Sequence, residues 1–211
     1  IPTPHSIFKG INKLAPGTIL TINTKSYIIQ IDKYWDFNEV IKKGKIKLEN
    51  YKLSKDEYIS QLHSLIRDSV EGQMISDVPL GAFLSGGIDS STIVSLMQAQ
   101  SSAPMKTFTI GFNEKGFDEA KYAKAIAMHL GTDHTELYVT AEEAMKVIPD
   151  MPSIYCEPFA DPTQIPNYIV SKLASKDVKV VLSGDGGDEL FSGYSRYYHI
   201  EKMWKNLSYL P

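Results

Sequence analysis

Two stretches of this chain bring together residue types that can handle a phosphate and its counter-ion. The first is Phe83-Leu84-Ser85-Gly86-Gly87-Ile88-Asp89-Ser90-Ser91. Its glycines let an anion approach the main chain closely, and its serines add hydroxyl donors. The second is Ser183-Gly184-Asp185-Gly186-Gly187-Asp188-Glu189, where carboxylates are interleaved with glycines. The first stretch matches neither common phosphate loop, because no Lys follows its glycines and the GxGxxG spacing is absent. A polyphosphate held there needs another source of positive charge, and Mg²⁺ on oxygen ligands is the expected one. Asp89 and Asp188 are the carboxylates placed to bridge such an ion. Helix capping is the competing role, and it leaves two acid-bearing glycine loops as coincidence. Asp185, between Gly184 and Gly186, suits either a general base or an Asx turn.

The elements that must position these loops follow from local signals. The run Pro79–Leu84 reads as a short buried strand, and Ile93, Val94, Leu96 and Met97 have helical spacing. A strand turning through Ser-Gly-Gly into a helix aims backbone N–H groups and a positive dipole end at one spot. Upstream, Ser54 and Glu57 form a capping box for a helix whose apolar face is Tyr58, Leu62, Leu65, Ile66, Val70 and Met74. Downstream, strands are expected at 105–112, 134–139 and 178–182. Helices are expected at 118–130, with Asp118 as N-cap and Gly131 beyond the end, from the capping box Thr140–Glu143 to about Ile148, and at 168–175. An aromatic helix with Tyr194, Tyr197, Tyr198 and Trp204 closes the chain, and residues 149–166 read as Pro-rich and irregular.

Strands alternating with helices predict an α/β fold, a doubly wound parallel sheet with helices on both faces. Right-handed crossovers place the loops after the strands along one edge, where such sheets bind ligands. The Ser85 loop, Ile110-Gly111 and the Ser183–Glu189 loop all fall there, and their convergence argues for a nucleotide site. Residues 1–37 differ. Runs at 18–22 and 27–31 around Asn23-Thr24-Lys25-Ser26 read as a hairpin, and the Lys-rich residues 38–53 read as a solvated linker before a domain spanning 54–211.

The bulk numbers exclude several classes. A formal net charge of −3 without long charged blocks gives no footprint for nucleic acid. No apolar run reaches the length of a membrane span, and no signal peptide is visible. A single cysteine, Cys156, rules out an internal disulfide and fits a reducing, cytoplasmic setting. It has no nucleophile signature and is expected to be a small buried residue. The five histidines lack metal-ligand spacing. Glu157 and Asp161 suit either an acceptor pocket or turns beside their prolines. The chain begins without Met and stops after a helical pattern, so it is expected to be a fragment.

Residues 76–91, Phe108-Thr109-Ile110-Gly111-Phe112 and Val181–Tyr194 together resemble the glutamine-dependent asparagine synthetase family, in the same order. Residues 1–37 resemble the closing hairpin of that family's glutaminase domain. The resemblance implies the N-type ATP pyrophosphatase fold and a two-step reaction. ATP adenylates the side-chain carboxylate of aspartate with release of pyrophosphate, and ammonia from a glutaminase domain then displaces AMP. Carried over, Ser85, Gly86, Gly87, Asp89 and Ser90 grip pyrophosphate, while Leu84, Ile110, Ser183 and Gly184 meet adenosine largely through main chain. Asp89 and Asp188 match the Mg²⁺ ligands, and Asp185 stands where many members carry a Glu that acts on ammonia or the intermediate. The family's N-terminal Cys nucleophile is absent, and its catalytic Lys is expected beyond Pro211, so this chain is expected to bind ATP weakly without turnover. A homodimer stays open. The alternatives are a relative that adenylates another carboxylate, a tRNA-modifying enzyme, which would carry a basic face or zinc cysteines, and a non-catalytic binding domain.

Overall fold

The computed structural model describes residues 1–50, 52–113, 118–158 and 160–207. They divide into two compact units, one of residues 1–62 with 149–161 and one of residues 63–148 with 162–211. No helix among the described residues is long and apolar enough to cross a membrane.

In the first unit, β1 (Thr18–Ile22) and β2 (Ile29–Lys33) pair antiparallel, with Thr18 opposite Lys33 and Ile22 opposite Ile29. The second strand starts two residues later than the sequence pattern suggests because Asn23 builds a wider turn. Its Oδ1 accepts from the N–H groups of Lys25 at 2.9 Å and Ser26 at 3.0 Å. The stretch expected as a linker is instead largely helical, as α1 (Phe37–Asn50). Asp36 supplies the missing local signal, since its Oδ1 accepts from the N–H groups of Asn38 at 2.8 Å and Glu39 at 3.1 Å. No residue of α1 is buried, so capping and helix-forming side chains hold it rather than a packed face. The same unit carries an ion pair between Lys13 and Glu157, which holds the Glu157 carboxyl below the usual carboxylate range.

Helix α2 (Lys55–Met74) opens with the expected capping box: the Ser54 N–H donates to Glu57 at 2.7 Å, and the Glu57 N–H donates to the Ser54 hydroxyl at 3.3 Å. There follow β3 (Leu80–Phe83), α3 (Ile88–Ala99), β4 (Lys106–Phe112), α4 (Ala120–Leu130), β5 (Asp133–Val139) and α5 (Ala141–Met145). The segment expected as irregular holds a 3₁₀ turn at Ile148–Asp150 and the short α6 (Met151–Ile154). Then come α7 (Gln164–Ala174), β6 (Val180–Leu182), α8 (Gly187–Phe191) and α9 (Ser195–Leu207). Helix α7 starts earlier than expected because Pro166 falls in its first turn, where no N–H is needed. Cys156, expected to be buried, is exposed, since it follows α6 outside any packed element. Asp118 does not cap α4: the helix begins two residues later with Glu119 at the N-cap and no side-chain cap bond. Gly131 ends that helix in the left-handed region at φ 71°, as expected.

Strands β3 to β6 form one parallel sheet in the order β5-β4-β3-β6. Thr107, Phe108 and Thr109 are buried in succession rather than alternately, which means both faces of β4 are covered. One core joins Val70, Ala82, Leu84, Val94 and Met97 with Ala123 and Ala127 of α4. The other joins Phe108 with Val170, Leu173 and Ala174 of α7 and with Val178. The expected doubly wound arrangement is therefore present.

Candidate functional site

The strand order creates a topological switch point. From β3 the chain winds outward through β4 to β5, then returns to place β6 on the other side of β3. Open α/β sheets receive their ligands at such a switch point, outside the carboxyl ends of the two strands. The loops flanking it here are 84–87 and 183–186, the two glycine-rich stretches.

The first loop is braced from within. The Ser85 N–H donates to the Ser90 hydroxyl at 3.2 Å, and the two hydroxyls bond at 2.9 Å. The Ser91 hydroxyl donates to the Gly87 carbonyl at 2.6 Å. Ser85, Ser90 and Ser91 thus tie the loop to the first turn of α3. The N–H groups of Gly86, Ile88, Asp89 and Ser90 find no acceptor among the described residues, so they remain available as anion donors. Gly87 is the N-cap of α3 and supplies no side-chain bond.

The second loop packs directly on this turn. A Cβ on Gly184 would stand 2.6 Å from the Ser90 nitrogen, and one on Gly187 would stand 2.5 Å from the Asp89 Cγ. At Gly184 main chain fills the space, so glycine is required there, whereas at Gly187 the space is taken by the Asp89 side chain. Gly86 (φ 84°) is pressed against α4 in the same way, since a Cβ there would lie 2.7 Å from the Tyr122 Cβ.

Asp89 lies within the first turn of α3 but is not its cap, and its carboxylate has no hydrogen-bond partner among the described residues. Asp188 does not cap either, because the N-cap of α8 is Gly186, in the left-handed region and with no side-chain cap bond. The capping role therefore fails for both acids. Asp89 stands against Gly187, the residue before Asp188, while the Asp188 carboxylate lies beside Gly193. No group of three or more His, Cys, Asp or Glu side chains spaced to hold a metal occurs among the described residues. An unengaged Asp89 still fits Mg²⁺, which takes most of its ligands from phosphate and water and needs only one or two carboxylates.

The remaining candidates divide by what they already do. The Leu84 side chain is core, and its N–H donates to the Phe108 carbonyl at 3.0 Å, so its carbonyl is what it can offer a ligand. Ile110 pairs with Leu137 in the sheet and packs against the Phe108 core. Ser183 donates to the Asp185 carboxylate at 3.0 Å and accepts from its N–H at 3.3 Å. The turn is therefore built on the Ser183 hydroxyl and is not the Asx turn raised from sequence, because the Asp185 carboxylate accepts that hydroxyl and no backbone N–H among the described residues, and its side chain remains exposed. Tyr194 is committed to Glu189, to which its hydroxyl donates at 2.8 Å.

Sequence reasoning missed the cation. An open cleft of about 300 Å³ is lined on one side by Ser85, Gly86 and Gly87. Its other side is the start of α4, with Asp118, Glu119, Lys121 and Tyr122. No local signal ties Lys121 to the Ser-Gly-Gly turn. Only the contact between Gly86 and Tyr122 does.

The family model for asparagine synthase matches residues 61–211. The chain belongs to that family. It is 38% identical over 197 residues to asparagine synthetase [glutamine-hydrolyzing] 1 of Bacillus subtilis, covering 93% of this chain and 29% of that protein. It is 38% identical over 206 residues to a putative asparagine synthetase [glutamine-hydrolyzing] 2 of Methanocaldococcus jannaschii, covering 96% of this chain and 38% of that protein. Asparagine synthetase B of Escherichia coli is 37% identical over 158 residues, 66% of this chain and 28% of that protein. The chain thus spans between 28% and 38% of the length of these relatives.

Proposed function

We propose that this chain carries the nucleotide-binding part of a glutamine-hydrolysing asparagine synthetase, in which ATP adenylates aspartate and ammonia then displaces AMP. The observation that carries this reading is the switch point. There the N–H groups of Gly86, Ile88, Asp89 and Ser90 have no acceptor among the described residues, and the loop after β6 packs on Asp89 and Ser90.

In this reading the departing pyrophosphate lies on the Ser85–Ser90 turn, where free N–H donors and the start of α3 meet its negative charge. Adenosine lies toward β4 and β6, within reach of the main chain at Leu84, Ile110, Ser183 and Gly184. Asp89 is the first ligand for Mg²⁺, and Asp188, whose carboxylate lies beside Gly193, would have to turn its side chain to be the second. The metal would offset phosphate charge during adenylation. Asp185 is held by Ser183 and would orient a nucleophile or substrate amine from the loop after β6.

Calorimetric titration of the chain with ATP, with and without Mg²⁺, tests the nucleotide assignment. Metal-dependent binding is expected, and ATP binding that ignores Mg²⁺ would remove the role given to Asp89. Because the relatives are longer, the acceptor is tested by ATP–pyrophosphate exchange on the whole natural polypeptide that carries this chain. Exchange that requires aspartate supports the assignment. Exchange that requires a different carboxylate would instead make it an amidotransferase or a β-lactam-synthetase-like relative.

A further inference from the structure

The Ser-Gly-Gly turn carries no lysine of its own, yet an ammonium lines the cleft beside it. Lys121 is the second residue of α4 and the only cation among the residues lining the cleft with Ser85, Gly86 and Gly87. Its Nζ sits 4.9 Å from the centre of the Tyr122 ring, and it forms no ion pair with any described residue, Asp118 and Glu119 included.

Two features make this placement informative. A cation at the start of a helix works against the helix dipole, so Lys121 weakens α4 unless an anion is present. The position is also held by main chain. Gly86 approaches Tyr122 and Ala123 so closely that a Cβ would lie 2.7 Å from the Tyr122 Cβ and 2.9 Å from the Ala123 nitrogen. The first turn of α4 is thereby registered on the phosphate loop itself. The Tyr122 ring gives the ammonium a surface to rest on while leaving its protons free to donate.

We propose that Lys121 is a phosphate-binding residue that neutralises the pyrophosphate end of the nucleotide, in place of the lysine that the loop lacks. This rests on the nucleotide reading given above. Asp118 and Glu119 in the same cleft would repel a polyphosphate, and the Lys121 charge offsets that repulsion. The ammonium donates to phosphate oxygens and forms no covalent bond.

The test is calorimetric titration of inorganic pyrophosphate and of AMP into the wild-type chain, Lys121→Met and Lys121→Arg. Lys121 is exposed, so neither variant should disturb the core, and circular dichroism melts verify this. Lys121→Met is expected to weaken pyrophosphate binding about tenfold, the loss typical of a charge-assisted hydrogen bond, with AMP binding unchanged. Lys121→Arg is expected to restore most of the loss. Pyrophosphate binding by Lys121→Met equal to wild type overturns the role of Lys121 while leaving the loop assignment standing. A wild-type chain that binds neither pyrophosphate nor ATP overturns both.

Discussion

Gly187 of α8 stands against Asp89 of α3, so that a Cβ at 187 would meet the Asp89 Cγ at 2.5 Å and its Oδ2 at 2.6 Å. One glycine therefore decides where the unpaired carboxylate of the phosphate loop points.

Gly187→Ala is expected to turn that carboxylate aside without unfolding the chain. Gly187 does not use the left-handed region, and the group displaced is a rotatable side chain. The expected result is a melting temperature within about 4 °C of wild type, roughly a 1 kcal/mol effect, together with weaker ATP binding in Mg²⁺. Unchanged Mg²⁺-dependent binding would show that the Asp89 orientation is irrelevant to the ligand.

Gly184→Ala should behave differently because its Cβ meets backbone. The Ser90 nitrogen at 2.6 Å and the Asp89 carbonyl carbon at 2.9 Å cannot rotate away. A loss of about 1–3 kcal/mol is expected, the usual cost of forcing an extra methyl into packed structure. Urea denaturation reads it as a lower midpoint at constant slope, and a midpoint equal to wild type would contradict the close approach of the two loops.

His134 should make stability fall on acidification. Its Nδ1 bonds to the buried Thr107 hydroxyl at 2.9 Å, and its Nε2 is buried without a partner. Burial holds its pKa below the ordinary value, with Glu136 opposing and Lys124 adding to the effect. The unfolded chain protonates this imidazole near about pH 6.5 while the native one stays neutral. The unfolded state thus binds more protons, and stability drops as pH falls below that value until the native imidazole titrates. His134→Gln is expected to flatten the dependence of the urea midpoint on pH between about 7 and 5. Parallel profiles for the two proteins would exclude His134 as the source.

Thr140 caps α5 through a complete capping box with Glu143. Thr140→Ala should cost about 1 kcal/mol at neutral pH. The Glu143 carboxyl is held below the usual range, first by the Thr140 N–H and then by its hydroxyl. A carboxylate with a depressed native pKa stabilises above its unfolded value, and that contribution disappears as pH falls through the native one. The difference in melting temperature between wild type and Thr140→Ala should therefore shrink between about pH 7 and pH 3. A constant difference would remove Glu143 from the box.

What could be read in advance was short-range. The boxes Ser54–Glu57 and Thr140–Glu143 and the Gly131 helix end each close within a few residues, so residue type and spacing encode them. Helix α1 went unread because Lys-rich spacing resembles a solvated linker, and its Asp36 cap lies just before the stretch in question. Cys156 was misjudged because a preference for burial says nothing about whether a packed element is present to bury it.

By itself the sequence determined the two glycine-rich turns, the strands and helices that bear them, and the parallel α/β class, because backbone preference and hydrophobic period act over neighbouring residues. Tertiary structure alone decided which turns meet. Pairing β6 beside β3 is a hydrogen-bonded choice between distant segments, and it sets Gly184 and Gly187 on Asp89 and Ser90. The same long-range packing showed that neither Asp89 nor Asp188 is a cap and brought Lys121 to a loop without a lysine, through a glycine whose missing Cβ lets two main chains touch.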